Sequence, residues 1–226
     1  MKDMAASAQA IRGRGRPRSG DPAEDAARRR KILEAALETF SQLGFEGASI
    51  TEIARRHGVS PPLIHYYFRN KTELWRAAAE FGAGEMVHEL QERMNDLSDT
   101  DSLGRLKFFI RRYVALLVER PEIFRLIVRE SETPGQRLKW LLQRYLHPFY
   151  EIFDGVVTAA QRDDRIKAHI PSYHVCQIIA GACYQFIASR NRMIELYKVD
   201  PTTREAREQH ATYVIEAVLS GLEVLP

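Results

Sequence analysis

The 226-residue sequence predicts an all-α protein of about nine helices. In one segment after another, apolar residues recur at steps of three and four, the period of a helix that is buried on one side. Most of these segments start at a capping residue and end at glycine or proline, and none shows the alternation of a half-buried strand. With 45% apolar residues the chain can form a core, and no apolar run approaches the roughly 18 residues that cross a bilayer. We therefore expect a helical protein with no membrane partner.

The two cysteines and the N-terminal sequence indicate a cytoplasmic protein. Cys176 and Cys183 are seven residues apart, which suits one helix better than a disulfide framework. The N-terminus has no apolar stretch of the signal-peptide kind. We expect both thiols to be reduced and buried.

Residues 1–20 are predicted to be a disordered basic arm. Residues 1–31 carry nine basic and four acidic groups, a net charge of +5 within a chain whose total is +3. The run RGRGRPR, with Arg14, Arg16 and Arg18, is kept extended by glycine and proline, and such a strand fits an A·T-rich minor groove. This favours a DNA partner, with a solubilising tail as the alternative.

Three capping boxes mark the starts of early helices. DPAE (21–24) places a cap, a first-turn proline and an acid ahead of helix one, at about 22–43. SITE (49–52) starts helix two, at about 50–57, and NKTE (70–73) starts helix four. Helix two, the turn HGVS and the helix that follows predict a helix-turn-helix.

Two adjacent prolines begin the short helix three. Ser60 is the predicted N-cap, so Pro61 and Pro62 occupy positions whose backbone N–H groups would have no partner inside the helix. Ile64 has the spacing to face the core, which leaves His65 and its aromatic neighbours around the outer side. The helix therefore presents aromatic and imidazole groups for recognition, with a half-buried place in the core for one of Tyr66 and Tyr67 as the alternative.

Residues 28–75, RRRKILEAALETFSQLGFEGASITEIARRHGVSPPLIHYYFRNKTELW, resemble the DNA-binding domain of the tetracycline-repressor (TetR) family of bacterial transcriptional regulators. The matching features are Ile32, Ala36, Phe40, Gly44, Phe45, the Ser49, Ile53 and Ala54 stretch, GVS, Tyr67, Phe68, Lys71 and Leu74. The resemblance implies a dimeric, ligand-responsive regulator, most often a repressor, that binds a palindromic operator in double-stranded DNA. The division it implies is a DNA-binding domain over 21–70 and a helical effector-binding and dimerisation domain over 71–226.

The expected DNA contacts come from the arm and from helices two to four. They are Arg14, Arg16, Arg18, Ser49, Thr51, Ser60, Pro61, Pro62, Leu63, His65, Tyr66, Tyr67 and Lys71. His65 stands where the family usually has a tyrosine that contacts phosphate, and an imidazole reaches less far. Pro61, Pro62 and Leu63 replace more polar residues, which shifts base reading towards apolar contacts such as thymine methyl groups.

The remainder reads as five more helices after helix four. Helix five ends at Pro121, helix six follows it directly, and helix seven, over 134–161, is expected to kink at Pro148. Helix eight is predicted over 172–197 and helix nine over 203–225. Small residues on these last two helices permit close helix approach and suit the two-fold four-helix dimer interface that the family resemblance implies: Ala180, Gly181, Ala182, Ala217, Ser220 and Gly221.

The body is rich in aromatic residues, which suggests a partly hollow pocket for a small, mostly apolar effector. The candidate lining is Phe109, Tyr113, Phe124, Arg129, Trp140, Tyr145, His147, Phe149, His174 and Gln177. The alternative is that these rings only fill the core, in which case the protein is a constitutive or architectural DNA-binding protein whose body only dimerises. No catalytic triad, zinc-ligand spacing or phosphate-binding glycine loop is present, so we expect no enzyme, metal or cofactor.

Overall fold

The computed structural model describes residues 22–222, and every regular element in that range is helical. In chain order the helices are α1 (Pro22–Gly47), α2 (Ile50–His57), α3 (Pro61–Tyr67), α4 (Lys71–Asp96), α5 (Ser102–Glu119), α6 (Pro121–Ser131), α7 (Gln136–Leu141), α8 (His147–Arg162), α9 (Ser172–Ala188), α10 (Arg190–Tyr197), α11 (Arg204–Val214) and α12 (Ser220–Leu222). The predicted all-α fold is confirmed. The arm and the predicted cap at Asp21 lie outside the described residues.

Glycines and a capping side chain determine the connections from α1 to α2 and from α2 to α3. Gly44 interrupts α1 with φ 73°, a backbone conformation that strains other residues. The Ser49 hydroxyl accepts the Glu52 N–H at 3.0 Å and so caps α2, and Gly58 ends that helix with φ 63°. These local signals place α2 against α1 and turn the chain into α3.

The double proline shapes the start of α3 as the sequence predicts. Ser60 occupies the N-cap position, but its hydroxyl makes no capping hydrogen bond. Pro62 has no N–H to donate, and the Leu63 N–H donates to the Ser60 backbone carbonyl at 3.0 Å. Ile64 is fully buried and fixes this short helix on the core.

The later helices differ from the prediction at three places, the last of which is a π-helical turn at Ile215–Leu219 between α11 and α12. Helix seven is one helical run, α7 to α8, with a π-helical turn at Leu142–Leu146. There the His147 N–H donates to the Leu142 carbonyl, and the wider turn precedes Pro148, whose ring would clash with a carbonyl in a regular α-helix. The single predicted helix eight is wrong, because the chain breaks at Ser189 into α9 and α10. The Ser189 hydroxyl donates to the Gln185 carbonyl at 2.6 Å and competes with the helical backbone bonds.

The α1 helix packs against both α4 and α6. These three helices meet at Gly82 of α4, where an added Cβ would lie 2.9 Å from Leu37 Cδ2 and 3.1 Å from Ile123 Cβ. Both α4 and α6 therefore connect α1, and with it the helix-turn-helix, to the body. Since α6 also contacts α1, the joint has two supports.

Candidate DNA-binding surface and effector cavity

The predicted recognition surface is built by α2 and α3. Thr51, Pro61, Pro62 and His65 are exposed, and Tyr66 is 76% exposed. Such exposure of a large aromatic ring beside two prolines leaves it open to a partner. The Ser60 hydroxyl, which caps nothing, is also exposed and can donate or accept a hydrogen bond.

Three other predicted contacts have structural roles in the folded chain. The Tyr67 hydroxyl donates to Asp25 Oδ1 at 2.5 Å, which ties α3 to α1 and raises the pKa of Tyr67. Leu63 is half-buried against the core. The Ser49 hydroxyl accepts the α2 capping bond and keeps only its proton for another partner. Tyr67 and Leu63 are therefore less available than the sequence suggests.

Lys71 also bonds within the chain. Its Nζ donates to the Ala48 carbonyl at 3.1 Å and lies 4.3 Å from the centre of the Phe45 ring. An ammonium group has three donors, so two stay available to a phosphate. The arm residues Arg14, Arg16 and Arg18 lie outside the described residues.

Arg55 is a basic residue of this surface that the sequence interpretation left out. It lies one helical turn after Thr51 on α2, with its side chain 70% exposed, and it donates to both carboxylate oxygens of Glu52. Hydrogen bonds from Arg55 and Arg56 lower the pKa of Glu52 to about 2. The step of four from Thr51 was the signal that could have identified Arg55.

Four of the predicted effector residues form one aromatic cluster. Phe109, Tyr113, Phe124 and Phe149 are buried, and the ring of Tyr113 lies 5.7 Å from that of Phe124 and 5.8 Å from that of Phe149. Phe109 lies behind them, 4.3 Å from Phe153. Burial raises the pKa of Tyr113, so its hydroxyl stays protonated.

A cavity of about 200 Å³ opens beside this cluster. Its lining, from α4, α5, α6, α8, α9 and the π-helical turn, is mostly apolar: Met86, Tyr113, Phe124, Ile127, Val128, Leu146, Phe149, Tyr150, Gln177, Ala180, Gly181 and Tyr184. The sequence analysis predicted four of these residues: Tyr113, Phe124, Phe149 and Gln177. The others come from helices that are distant in sequence, and no local pattern brings them together.

The remaining candidates lie elsewhere. Trp140 contacts Tyr145 and Trp75, with ring centres 5.5 and 5.6 Å apart, so this chain of rings runs towards the base of α4. His147 lines a second cavity of about 280 Å³, and the exposed His174 lies 4.4 Å from the Tyr173 ring. These residues do not border the 200 Å³ cavity.

Arg129 requires the largest correction. Its Nη2 donates to the Gln42 carbonyl at 3.1 Å, and its side chain covers Gly44, where an added Cβ would lie 2.9 Å from Nη1. Arg129 therefore belongs to the contact between α6 and α1. The neighbouring Glu130 is buried and accepts from Arg137 at 2.9 Å, and Arg137 lies 4.2 Å from the centre of the Phe45 ring.

The two cysteines are both buried and free. Burial raises the pKa of each thiol, Cys176 and Cys183, to about 12, so neither is a ready nucleophile. Across the described part of the chain, no three His, Cys, Asp or Glu side chains cluster as metal ligands would. Within residues 22–222, none of the helices combines the length and apolar character that a membrane crossing requires.

Exposed apolar and small residues occur on α9 and on the helical segment from α11 to α12. Ile178 is 51% exposed and Tyr213 60% exposed. Gly181, Ala217 and Ser220 are also exposed. Helices α9 and α11 contact each other through the His210 ring, which lies 4.0 Å from that of Phe186 while Nε2 donates to the Ala182 carbonyl at 3.0 Å.

Sequence comparison assigns both parts of the chain. Residues 32–78 match the profile described as bacterial regulatory proteins of the tetR family, and residues 104–218 match the tetracyclin repressor-like C-terminal domain. The chain is 26% identical over 209 residues to the HTH-type transcriptional repressor NicS of Pseudomonas putida, covering 91% of this chain and 97% of NicS. It is 30% identical over 175 residues to the HTH-type transcriptional activator FasR of Mycolicibacterium smegmatis, covering 75% and 76% of the two chains.

Solved structures give the same fold. The transcriptional regulator FadR of Bacillus subtilis, solved in complex with stearoyl-CoA, aligns with a TM-score of 0.64 at 20% identity, over 85% of this chain and 98% of FadR. NicS and FasR are transcriptional regulators, which agrees with the expectation of a non-enzymatic protein. The two matched profiles, the second of which covers half of the sequence, show that this chain belongs to the TetR family of bacterial transcriptional regulators.

Proposed function

We propose that the protein is a ligand-responsive, dimeric repressor that binds a palindromic operator in double-stranded DNA. The observation that carries the proposal is the shared position of α6. With Phe124, Ile127 and Val128 this helix lines the 200 Å³ cavity, which we call the effector cavity. The next residue, Arg129, donates a hydrogen bond to the Gln42 carbonyl of α1, the helix that precedes the helix-turn-helix. A ligand and an operator would thus act on the same helix.

We propose the same division of the chain that the sequence indicates. Residues 1–20 serve as a basic arm on the minor groove, residues 21–70 bind the operator, and residues 71–226 bind the effector and form the dimer. The exposed Pro61, Pro62 and Tyr66 read base edges, with thymine methyl groups as the natural apolar partners. Ser60, His65 and Lys71 contact phosphates. The protein acts in the cytoplasm, on the nucleoid when it is bound to DNA.

The dimer is proposed to form through the exposed residues of α9 and of the helical segment from α11 to α12. Exposed Ile178 and Tyr213 supply apolar area, and the exposed small residues let the partner's helices approach closely. A two-fold axis through these helices places two copies of α3 on one side of the dimer. They then reach half-sites roughly 34 Å apart along the DNA.

The effector is proposed to be a small, mostly apolar molecule. The cavity lining is aromatic and aliphatic, with Gln177 as a polar group at its edge. Related regulators support an apolar ligand, since one is named a fatty acid metabolism regulator and the FadR structure holds stearoyl-CoA. An effector that favours the DNA-free arrangement by about 3 kcal/mol would weaken operator binding roughly 150-fold.

A constitutive DNA-binding protein is the second candidate, and the cavity argues against it. If the body served only dimerisation, the rings of the cluster would be packed solid, whereas a cavity of about 200 Å³ opens against Tyr113, Phe124 and Phe149.

The test begins with the full-length protein and fragments of its own genome. Captured fragments are sequenced and footprinted, and the expected footprint is two-fold symmetric, from a protein that is dimeric at binding concentrations. Small apolar and aromatic acids are then screened for release of that DNA. Protection of one half-site by a monomer would overturn the dimer, and failure of every compound would favour the constitutive protein.

A further inference from the structure

Another, larger cavity shares lining residues with the effector cavity. It is a groove of about 830 Å³ between the junction of α5 and α6, the end of α9 and the start of α10, and we call it the basic groove. Its lining is Leu117, Val118, Pro121, Phe124, Arg125, Tyr184, Gln185, Ile187, Ala188, Ser189, Arg190, Asn191, Arg192 and Thr202. Phe124 and Tyr184 also line the effector cavity, so the same two rings form a wall of both spaces.

The charges of the basic groove are all of one sign. Arg125, Arg190 and Arg192 line it, and none of the described lining residues is acidic. Arg190 is bound to Asp200 by hydrogen bonds of 2.9 and 2.6 Å. That pair holds the loop after α10 and removes most of the charge of Arg190 from the groove.

The other two arginines are free to bind a ligand. Arg192 makes no hydrogen bond or ion pair with another residue in the described part of the chain. Arg125 is 3.9 Å from Glu122, one turn away on α6, and its side chain is 51% exposed, so this ion pair is weak. Two available guanidinium groups above an apolar floor form a site for an anion, because their planar donors match phosphate and carboxylate oxygens.

The two shared residues determine how a ligand would lie. Phe124 and Tyr184 line both the mostly apolar effector cavity and the groove that holds the arginines. Tyr184 reaches both environments: burial raises its pKa, and the nearby Arg125 opposes that rise. A single molecule that filled both spaces would therefore have an apolar end and an anionic end.

We propose that the effector is an anionic amphiphile. Its chain occupies the effector cavity, and its phosphate or carboxylate head binds Arg125 and Arg192 in the basic groove. This inference rests on the proposed function and specifies its ligand class. The head group would add charge-assisted hydrogen bonds to the apolar contacts of the chain, and such bonds are strong in a partly desolvated site.

The experiment is calorimetric titration of the full-length protein, below micelle-forming concentrations. The four probes are decyl phosphate, decanoate, decanol and inorganic phosphate. The expected order is decyl phosphate and decanoate ahead of decanol, by at least ~10-fold for decyl phosphate, with inorganic phosphate the weakest. Equal affinities for decyl phosphate and decanol, or for decyl phosphate and inorganic phosphate, would overturn the proposal, as would no binding of any probe.

Substitutions then locate the two ends of the ligand. Arg125→Gln and Arg192→Gln should each weaken decyl phosphate binding roughly 10-fold and leave decanol binding unchanged. The matched control is Arg162→Gln, an exposed arginine of α8 outside both cavities, which should change neither. Ala180→Leu, which fills the effector cavity from α9, should weaken all three chain compounds. Retained decyl phosphate binding in the arginine variants, or in Ala180→Leu, would overturn the assignment.

The result also separates this inference from the function on which it rests. If decanol alone releases the protein from its operator and the arginine variants respond normally, the anionic head is wrong and the ligand-responsive regulator stands. If the full-length protein binds no operator at all, the proposed function fails whatever the probes do.

Discussion

The joint between α1, α4 and α6 offers a paired test at Gly82 and Gly84. In a helix interior, replacing glycine by alanine stabilises by about 1 kcal/mol, since the unfolded chain loses freedom. At Gly84 the nearest atom to a new Cβ is Tyr145 Cε1 at 3.9 Å, which is an ordinary contact. Gly84→Ala should therefore raise the free energy of unfolding by about 1 kcal/mol. This variant is the matched control for Gly82→Ala.

At Gly82 the same methyl group meets a crowded site. It would lie 3.1 Å from Ile123 Cβ and 2.9 Å from Leu37 Cδ2. The leucine terminus can rotate, but Ile123 is fully buried and β-branched, so its Cβ moves only if α6 moves. Overpacking of this kind costs about 1–3 kcal/mol, which outweighs the propensity gain. Gly82→Ala should therefore be less stable than Gly84→Ala by about 2 kcal/mol.

Thermal unfolding at one fixed protein concentration measures the difference. About 2 kcal/mol corresponds to roughly 4–8 °C in Tm for a chain of this size, with Gly84→Ala above the native protein and Gly82→Ala below it. Operator affinity should also fall in Gly82→Ala, because a displaced α6 changes the position of α1 and of the helix-turn-helix that packs on it. If both variants are stabilised equally, the three helices separate freely at this point and the reasoning is wrong.

Three further predictions concern the recognition surface and the contact between α9 and α11. Tyr67→Phe should cost about 1 kcal/mol of stability, because the hydrogen bond to Asp25 is lost. Tyr66→Ala should leave the urea unfolding curve unchanged and weaken operator binding. A stability loss in Tyr66→Ala and none in Tyr67→Phe would reverse these two roles. Lys71→Ala should lower affinity for all sequences and reduce the slope of log affinity against log salt by roughly 1, and an unchanged slope would argue against a phosphate contact. Burial lowers the pKa of His210, so the unfolded chain takes up the proton first and stability should fall as the pH drops below about 6.5. His210→Gln should flatten that fall in denaturation measured from pH 7 to about 5, and an identical profile would exclude His210 as the source.

The helix starts were predictable because capping is a local property. Ser49 and Asn70 each accept the N–H of the residue three positions later, as their sequence motifs indicate. The cap at Ser60 is in the predicted position, yet its hydroxyl makes no capping bond, and the Leu63 N–H donates to the Ser60 backbone carbonyl instead. Sequence therefore located the helix-turn-helix closely, while hydroxyl partners needed the structure.

Long-range contacts were not predictable in the same way. Tyr67 and Asp25 are 42 residues apart, and Arg129 and Gln42 are 87 apart. The bonded groups come together only after α1 has packed on α3 and α6. No periodicity in the sequence predicts these contacts. For the same reason the aromatic candidates divided into a cluster at the cavity and a separate group around Trp140.

The double support of α1 bears on the making of hybrid regulators from this chain. Ile32, Leu33 and Leu37 of α1 are buried, and Leu37 lies against Gly82 and so faces the body as well as the helix-turn-helix. A hybrid that joined residues up to Tyr67 to the body of another family member would keep these side chains but lose their partners on α4 and α6. Exchanging an operator specificity would therefore require transplanting the facing residues of α6, including Ile123 and Arg129, together with the DNA-reading helices.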